Sequence, residues 1–413
     1  MTLRVPSPSR LLWLWTLLGL ALFVGPYLFF FAPVDMEHDR QSYLLGRDFV
    51  NVWFGAKQAL AGKTGHIFKT KEYLADMRGL LGADYPRHNF SYPPHILPLI
   101  LLFGVAPYFW SLFLWTAAGL GCFAAALKKN PFLKLGWPAL LLTALSPAAI
   151  FNGMFGQNGA FTAAFFLGGL YLCEASPVLA GILFGLLTVK PHLGVLIPLV
   201  LLLRRNWKCF SSATATTGAL VVIGVLIWGV QPWRDYLTDT LPYQSEFLNG
   251  PYRIFNPLMP GVWSDIMHLI PGEDWGYVIY AAIAVFAVFV AVAAVLREGI
   301  TARSVLVIAL STICILPYGF NYDMVAVAGA LAIYLATQAE LRLSTFIAMG
   351  LLWMLPLALV QFRVFPLPFS GAILLSALIS LHLSARASGI SGTHSGDSYN
   401  RPSTGAGPPA VSG

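Results

Sequence analysis

Apolar runs recur along the whole of this 413-residue chain, and they limit its fold more than any other feature. Residues 11–31 hold no charged side chain. A helix of about 20 apolar residues crosses the hydrocarbon of a bilayer, so this run reads as a span. Residues 93–127 are too long for one ordinary crossing, and Gly104 and Pro107 divide them into an entering half-helix and a full span. Further runs lie near 136–151, 159–173, 177–189, 193–203, 213–230, 276–296, 303–317, 322–338, 344–361 and 366–384. The count is twelve, or ten if the short pieces at 177–189 and 193–203 are broken or re-entrant. Composition agrees: 57% of residues are hydrophobic and 10% are charged, against about a quarter charged in soluble domains. The fold class is an all-α polytopic membrane protein.

Charge orients the threading. Arg4 and Arg10 precede a first run that is too long for a signal-peptide core and has no small-residue cleavage site. It is read as a retained span with a cytoplasmic N-terminus. Lys128, Lys129 and Lys134, then Arg204, Arg205 and Lys208, then Arg297, Arg303 and Arg342 fall on the cytoplasmic side, as the positive-inside rule requires. The formal charge of +7 is thus spread among membrane loops and does not point to nucleic acid. Cys122, Cys173, Cys209 and Cys314 are far apart without CxxC spacing, which predicts neither a disulfide framework nor a zinc site. Residues 33–92 and 231–275 form two large outer loops. Residues 1–385 form one membrane domain, and the Gly-, Ser- and Pro-rich tail 386–413 is expected to be disordered in the cytoplasm.

On this threading the polar clusters share the outer side. Asp48 opens an amphipathic segment in which Phe49, Val52, Trp53, Ala56 and Leu60 recur at helical spacing on one face. It suits either an N-cap or a catalytic base. Tyr92-Pro93-Pro94 forms an extended approach to a helix or a rigid sugar wall. Gly156-Gln157-Asn158 is a tight turn or a set of hydrogen-bonding amides. Lys190, between two apolar runs and beside Pro191 and His192, must snorkel to water or meet an anion. His192 is either structural or an assistant to Lys190. The late cluster of Tyr318 through Asp323 offers a second carboxylate, a helix cap or a site residue. Trp233, Tyr236, Tyr243, Tyr252 and Trp275 of the second loop are sugar platforms or interfacial anchors.

Asp48, Tyr92-Pro93-Pro94, Gly156-Gln157-Asn158 and Lys190-Pro191, in this order and on one side of the membrane, resemble glycosyltransferase family 87. This family was formerly a domain of unknown function and includes polyprenyl-phosphate-mannose-dependent α-mannosyltransferases. The likeness runs over residues 11–340. It implies a C-type (GT-C) glycosyltransferase fold, a polyprenyl-phosphate-linked sugar as donor, a lipid or glycan acceptor, and action on the outer, periplasmic face of the cell membrane. The family's first-loop aspartate, its general base, carries over to Asp48; its Gly-Gln and Lys-Pro motifs carry over to Gly156-Gln157 and Lys190-Pro191. Some members have a histidine in a late outer loop. Residues 318–323 contain none, which leaves the sugar open and makes Asp323 a candidate for the missing group.

The expected chemistry is hexosyl transfer with inversion. Asp48 takes the acceptor's proton, with Asp35, Glu37 and Asp39 as other carboxylates of the loop. Lys190 and His192 face the donor phosphate, and Gln157, Asn158, Tyr92, Tyr318 and Asp323 line the substrate. No metal or other cofactor is expected, because a lipid monophosphate carries little charge and no compact ligand set stands out. The alternative is a transporter or flippase of lipid-linked sugars, for which the sequence shows no inverted repeat. A non-catalytic membrane assembly partner would give the Asp48 and Lys190 clusters no purpose.

Overall fold

The computed structural model describes residues 2–4, 8–249, 258–270, 274–361 and 368–391. Among them helix dominates, and the named strands are two short pieces, Thr2–Arg4 paired antiparallel with Glu340–Arg342. Four described helices are long and apolar enough to cross a bilayer: Tyr108–Lys128, Trp207–Trp228, Asp274–Glu298 and Leu343–Val360. The pair Trp137–Ala144 and Pro147–Met154 makes a fifth crossing if taken as one span bent by 54°. The other expected crossings appear as shorter apolar helices, among them Gly159–Leu172, Pro177–Leu187 and Ala302–Ile315. The chain is an all-α polytopic membrane protein.

Burial sorts these helices into an inside and an outside. A helix that is apolar all round belongs in an interior, and Ala302–Ile315 and Val325–Ala336 are buried on nearly every side. Asp274–Glu298 packs along Ala302–Ile315, and Leu343–Gln361 touches Val325–Ala336. Only 11% of the apolar window of Trp207–Trp228 is buried, and Val222, Leu226 and Ile227 stand exposed. Apolar surface of this extent suits lipid rather than water. Small residues let the layers close up. A Cβ at Gly181 would come within 2.5 Å of the Cys209 carbonyl, and one at Gly185 within 2.5 Å of Thr216. These glycines are four apart on one face of Pro177–Leu187, the spacing that lets membrane helices approach closely.

Several helices break where polar residues sit. The expected span near 136–151 is two half-helices, because Ser146 accepts a hydrogen bond from Ala149 N (3.4 Å) and Pro147 starts a new first turn. The runs on either side of Lys190 are Pro177–Leu187 and Ile197–Leu203, joined through a 3-10 turn, Pro191–Gly194. Two boundaries differ from expectation. The helix expected at 213 begins at Trp207, where Asn206 caps it by accepting from Cys209 N (3.2 Å). Cys209 is therefore fully buried in a first turn rather than displayed in a cytoplasmic loop. The last helix, Ser370–Ser391, continues past Ala385 into the expected tail, while residues 392–413 lie outside the described residues.

The first outer loop packs as a small domain. Its helix Phe49–Leu60 was expected to be amphipathic, and Phe49, Val52, Trp53 and Ala56 are buried as the spacing predicts, whereas Leu60 is exposed. Val50, Asn51 and Phe54 are buried as well, because the rest of the loop folds over the other face. A Cβ at Gly55 would meet Phe90 at 2.6 Å, and Phe54 and Tyr73 pack with ring centroids 5.3 Å apart. The opposite face rests on Leu97–Val105, where a Cβ at Gly104 would meet the Ala56 backbone at 2.8 Å. The helix is thus clamped between loop and membrane domain.

Candidate active site

Asp48 stands at the N-terminus of Phe49–Leu60, yet its side chain makes no capping hydrogen bond. Capping residues normally have extended dihedrals that fold the side chain back over the first free N–H groups. Asp48 has helical ones, φ −72° and ψ −15°. The preceding residues impose this: Gly46 (φ 86°) and Arg47 (φ 33°) turn through the left-handed region. For arginine that conformation is uncommon, and its side chain is pinned. Arg47 Nε donates to Asp39 Oδ2 (2.6 Å), Nη2 donates to Gln41 Oε1 (3.2 Å), and the guanidinium lies over Phe31 and Tyr43. A cleft of about 220 Å³, lined by Tyr27, Phe31, Asp39, Arg47 and Phe155 among others, shares this wall.

The carboxylate that does not cap is held by the next motif. Gln157 Nε2 donates to Asp48 Oδ2 (2.8 Å), Gln157 Oε1 accepts from the Tyr92 hydroxyl (3.3 Å), and the Gln157 carbonyl accepts from the Trp115 indole (3.2 Å). Asp48 N donates to the Phe155 carbonyl (3.0 Å), which fastens the two segments along the backbone as well. The glycines flanking Gln157-Asn158 make the approach possible. Gly156 has φ 57°, and a Cβ there would lie 2.5 Å from Phe49 Cβ; a Cβ at Gly159 would collide with the Tyr322 carbonyl oxygen. The turn is therefore wedged between the first loop and the late outer loop. Within it Asn158 is buried, and neither of its side-chain polar atoms has a hydrogen-bond partner among the described residues.

Lys190 is buried and does not snorkel. Its ammonium pairs with Asp323 Oδ1, and it lies 5.1 Å from the centre of the Tyr322 ring. Asp323 also accepts from Phe320 N (3.0 Å) within the turn Asn321–Met324. His192 packs edge-on against Tyr318, centroids 5.6 Å apart, and its Nε2 is buried without a partner among the described residues. Two groups thus form, Asp48–Gln157–Tyr92 and Lys190–Asp323 with Tyr322, and they adjoin. Phe155 and Tyr322 have centroids 5.8 Å apart. Burial pushes the Tyr92 phenol well above its ordinary range, and the charges of both Asp48 and Asp323 push it the same way.

Asp39 and Asp35 are committed elsewhere, and Glu37 is exposed. Asp39 is buried and holds Arg47 together with Gln41 N and Tyr43 N. Asp35 is exposed, and hydrogen bonds from Glu37 N and His38 N hold its carboxyl below the usual range. The second-loop aromatics are also partly spent: Trp233 stacks on His95 (5.7 Å, 6°), Tyr236 meets Phe68 edge-on, and Tyr243 lies under Arg87. Trp275 is exposed, and Tyr252 lies outside the described residues. Sequence reasoning gave no role to Arg47 or Trp115. His95 closes the polar cluster around Tyr92-Pro93-Pro94, and its Nε2 lies 3.1 Å from Thr188 Oγ1, which ties the Tyr92 segment to the Lys190 break.

The profile of glycosyltransferase family 87 matches residues 90–317, more than half of the chain. The chain belongs to glycosyltransferase family 87. As a family 87 protein it is a glycosyltransferase, acting between a sugar donor and an acceptor, which displaces the transporter reading. The matched stretch takes in Tyr92, Gln157, Asn158, Lys190 and His192; Asp48 and Asp323 flank it on either side. No curated protein and no solved structure matches the chain.

Proposed function

We propose that this family 87 enzyme moves a hexose, mannose or a relative of it, from a polyprenyl-phosphate donor to a lipid or glycan acceptor on the outer face of the cell membrane. The observation that carries the reading is the Asp48 carboxylate. It is released from capping, aimed at Gln157, and joined through Gln157 to a segment the family match includes. In the proposed step the acceptor hydroxyl gives its proton to Asp48 as its oxygen bonds the anomeric carbon. The bond from that carbon to the phosphate oxygen breaks, and its electron pair leaves with the lipid phosphate. A single displacement of this kind inverts the anomeric carbon. The leaving phosphate is already a stable anion, so cationic and N–H stabilisation serves it better than protonation. Lys190, with His192 beside it, is the proposed partner of that phosphate. Asp323 holds the ammonium in place beforehand, since an unpaired buried charge is costly. Asn158, with both amide atoms unpartnered, and Tyr318 complete the proposed substrate lining. The test is transfer of label from radioactive polyprenyl-phosphate mannose to a membrane lipid extract by the purified protein. Labelled product supports the reading; its absence with every polyprenyl-phosphate hexose overturns it.

A further inference from the structure

The first outer loop carries a buried imidazole that the proposed mechanism does not use. His88 is 7% exposed. Tyr85 stacks on its ring (5.7 Å, 19°) and Tyr43 closes it edge-on (5.4 Å, 89°). Its Nδ1 lies 3.3 Å from Asn51 Nδ2. The amide orientation in the structure sets the direction of that bond. The Tyr73 hydroxyl donates to Asn51 Oδ1 (3.2 Å), and the Asn51 nitrogen faces His88. Amide nitrogen only donates, so Nδ1 must accept, and the proton of a neutral ring then sits on Nε2. Burial favours this neutral form, holding His88 below its ordinary value. Nε2 is itself buried and has no hydrogen-bond partner among the described residues. Leaving such a buried donor unmade is costly, although Asn51 and Tyr73 fix the rest of the group.

The position of the His88 ring links it to the candidate site. Asn51 follows Asp48 by three residues, so both lie on one face of Phe49–Leu60. The charges of Asp48 and Arg47 both reach the His88 ring. We propose that His88 is a substrate-binding residue of the Asp48 site, whose Nε2–H donates a hydrogen bond to a hydroxyl or phosphate oxygen of the sugar substrate. The inference rests on the transferase reading above and adds one residue to it. Tyr73 and Asn51 act through His88, as positioning residues that set its tautomer.

Two substitutions separate this role from a structural one. His88→Asn puts an amide oxygen near the place of Nδ1, keeping the acceptor for Asn51, but ends short of Nε2. His88→Gln reaches the place of Nε2 with an N–H. A substrate-binding role predicts that His88→Gln keeps most of the activity. His88→Asn should lose roughly tenfold in kcat/KM, as one hydrogen bond is worth, with little change in thermal stability. The reverse ranking would overturn the proposal. A second readout does not need turnover. In protein labelled with 15N-histidine, the His88 signal, identified by its loss in His88→Gln, should show a proton on Nε2 at neutral pH. That signal should move when polyprenyl-phosphate mannose or the lipid extract is added, and adding each alone tells which substrate the donor holds. If the signal ignores both, His88 is not a binding residue, whether or not the protein transfers sugar. If the signal moves but no preparation transfers sugar, the transferase reading fails and the binding role stands.

Discussion

Single residues carry most of the chemistry, and their surroundings separate roles that the sequence leaves together. An aspartate ahead of an apolar run can cap a helix or act as a base; the residue type is the same for both. The helical dihedrals at Asp48 decide against capping, and they depend on Gly46 and Arg47 just before it. Its holder, Gln157, is 109 residues away in sequence, so no local pattern could reveal the contact. Lys190 was legible as a lysine in need of a partner, but the partner, Asp323, is 133 residues away. That pair makes a prediction at this scale. Asp323→Asn keeps an acceptor for Phe320 N but leaves the Lys190 charge buried and unpaired, which should cost about 3–5 kcal/mol of stability. Adding Lys190→Met removes the stranded charge and should restore most of the melting temperature in detergent, without restoring transfer. If the single and double variants melt alike, the two charges are not coupled.

Elements matter here through where they stop. The polar motifs sit at helix breaks: Ser146-Pro147, the turn at 156–159, Lys190-Pro191 and the turn Asn321–Met324. Proline and glycine mark such breaks in a sequence, so their existence was legible. The bend of 54° between Trp137–Ala144 and Pro147–Met154 was not, because an apolar run of that length looks like one span. Burial of both faces of Phe49–Leu60 was missed for a related reason. Periodicity reports one apolar stripe, and cannot foresee that Phe90 and Tyr73 cover the other. The tightest junction gives the test at this scale. Gly159→Ala pushes a methyl into the Tyr322 carbonyl, and Gly156→Ala adds a strained φ to a clash with Phe49. Overpacking of this kind costs about 1–3 kcal/mol, and the left-handed φ roughly another 1–2. Both variants should melt lower than wild type, Gly156→Ala the lower of the two, and both should lose transfer. The same change at Gly121, where a Cβ meets nothing within 4 Å, should leave melting and transfer near wild type. Equal behaviour at all three would remove the turn from the site.

For the molecule as a whole, the proposed site lies on the outer side of the membrane domain, a placement that rests on the basic residues of the opposite turns. In a cysteine-free background, a cysteine at exposed Lys63 should react with a membrane-impermeant thiol reagent in intact cells, and one at exposed Lys208 only after permeabilisation. Native Cys209 cannot serve as the reporter, because it is fully buried. The central claim is that Asp48 takes the acceptor's proton, and Asp48→Asn tests it most directly. The change keeps size and an oxygen that can accept from Gln157 and removes the basic carboxylate. The measurement is the rate of label transfer from polyprenyl-phosphate mannose by Asp48→Asn and wild type, at matched yield and melting temperature. A general base predicts a loss of ~10²–10⁴ in rate, about 3–5 kcal/mol of barrier, well beyond any loss from Asp35→Asn. Transfer by Asp48→Asn at near the wild-type rate would contradict the account.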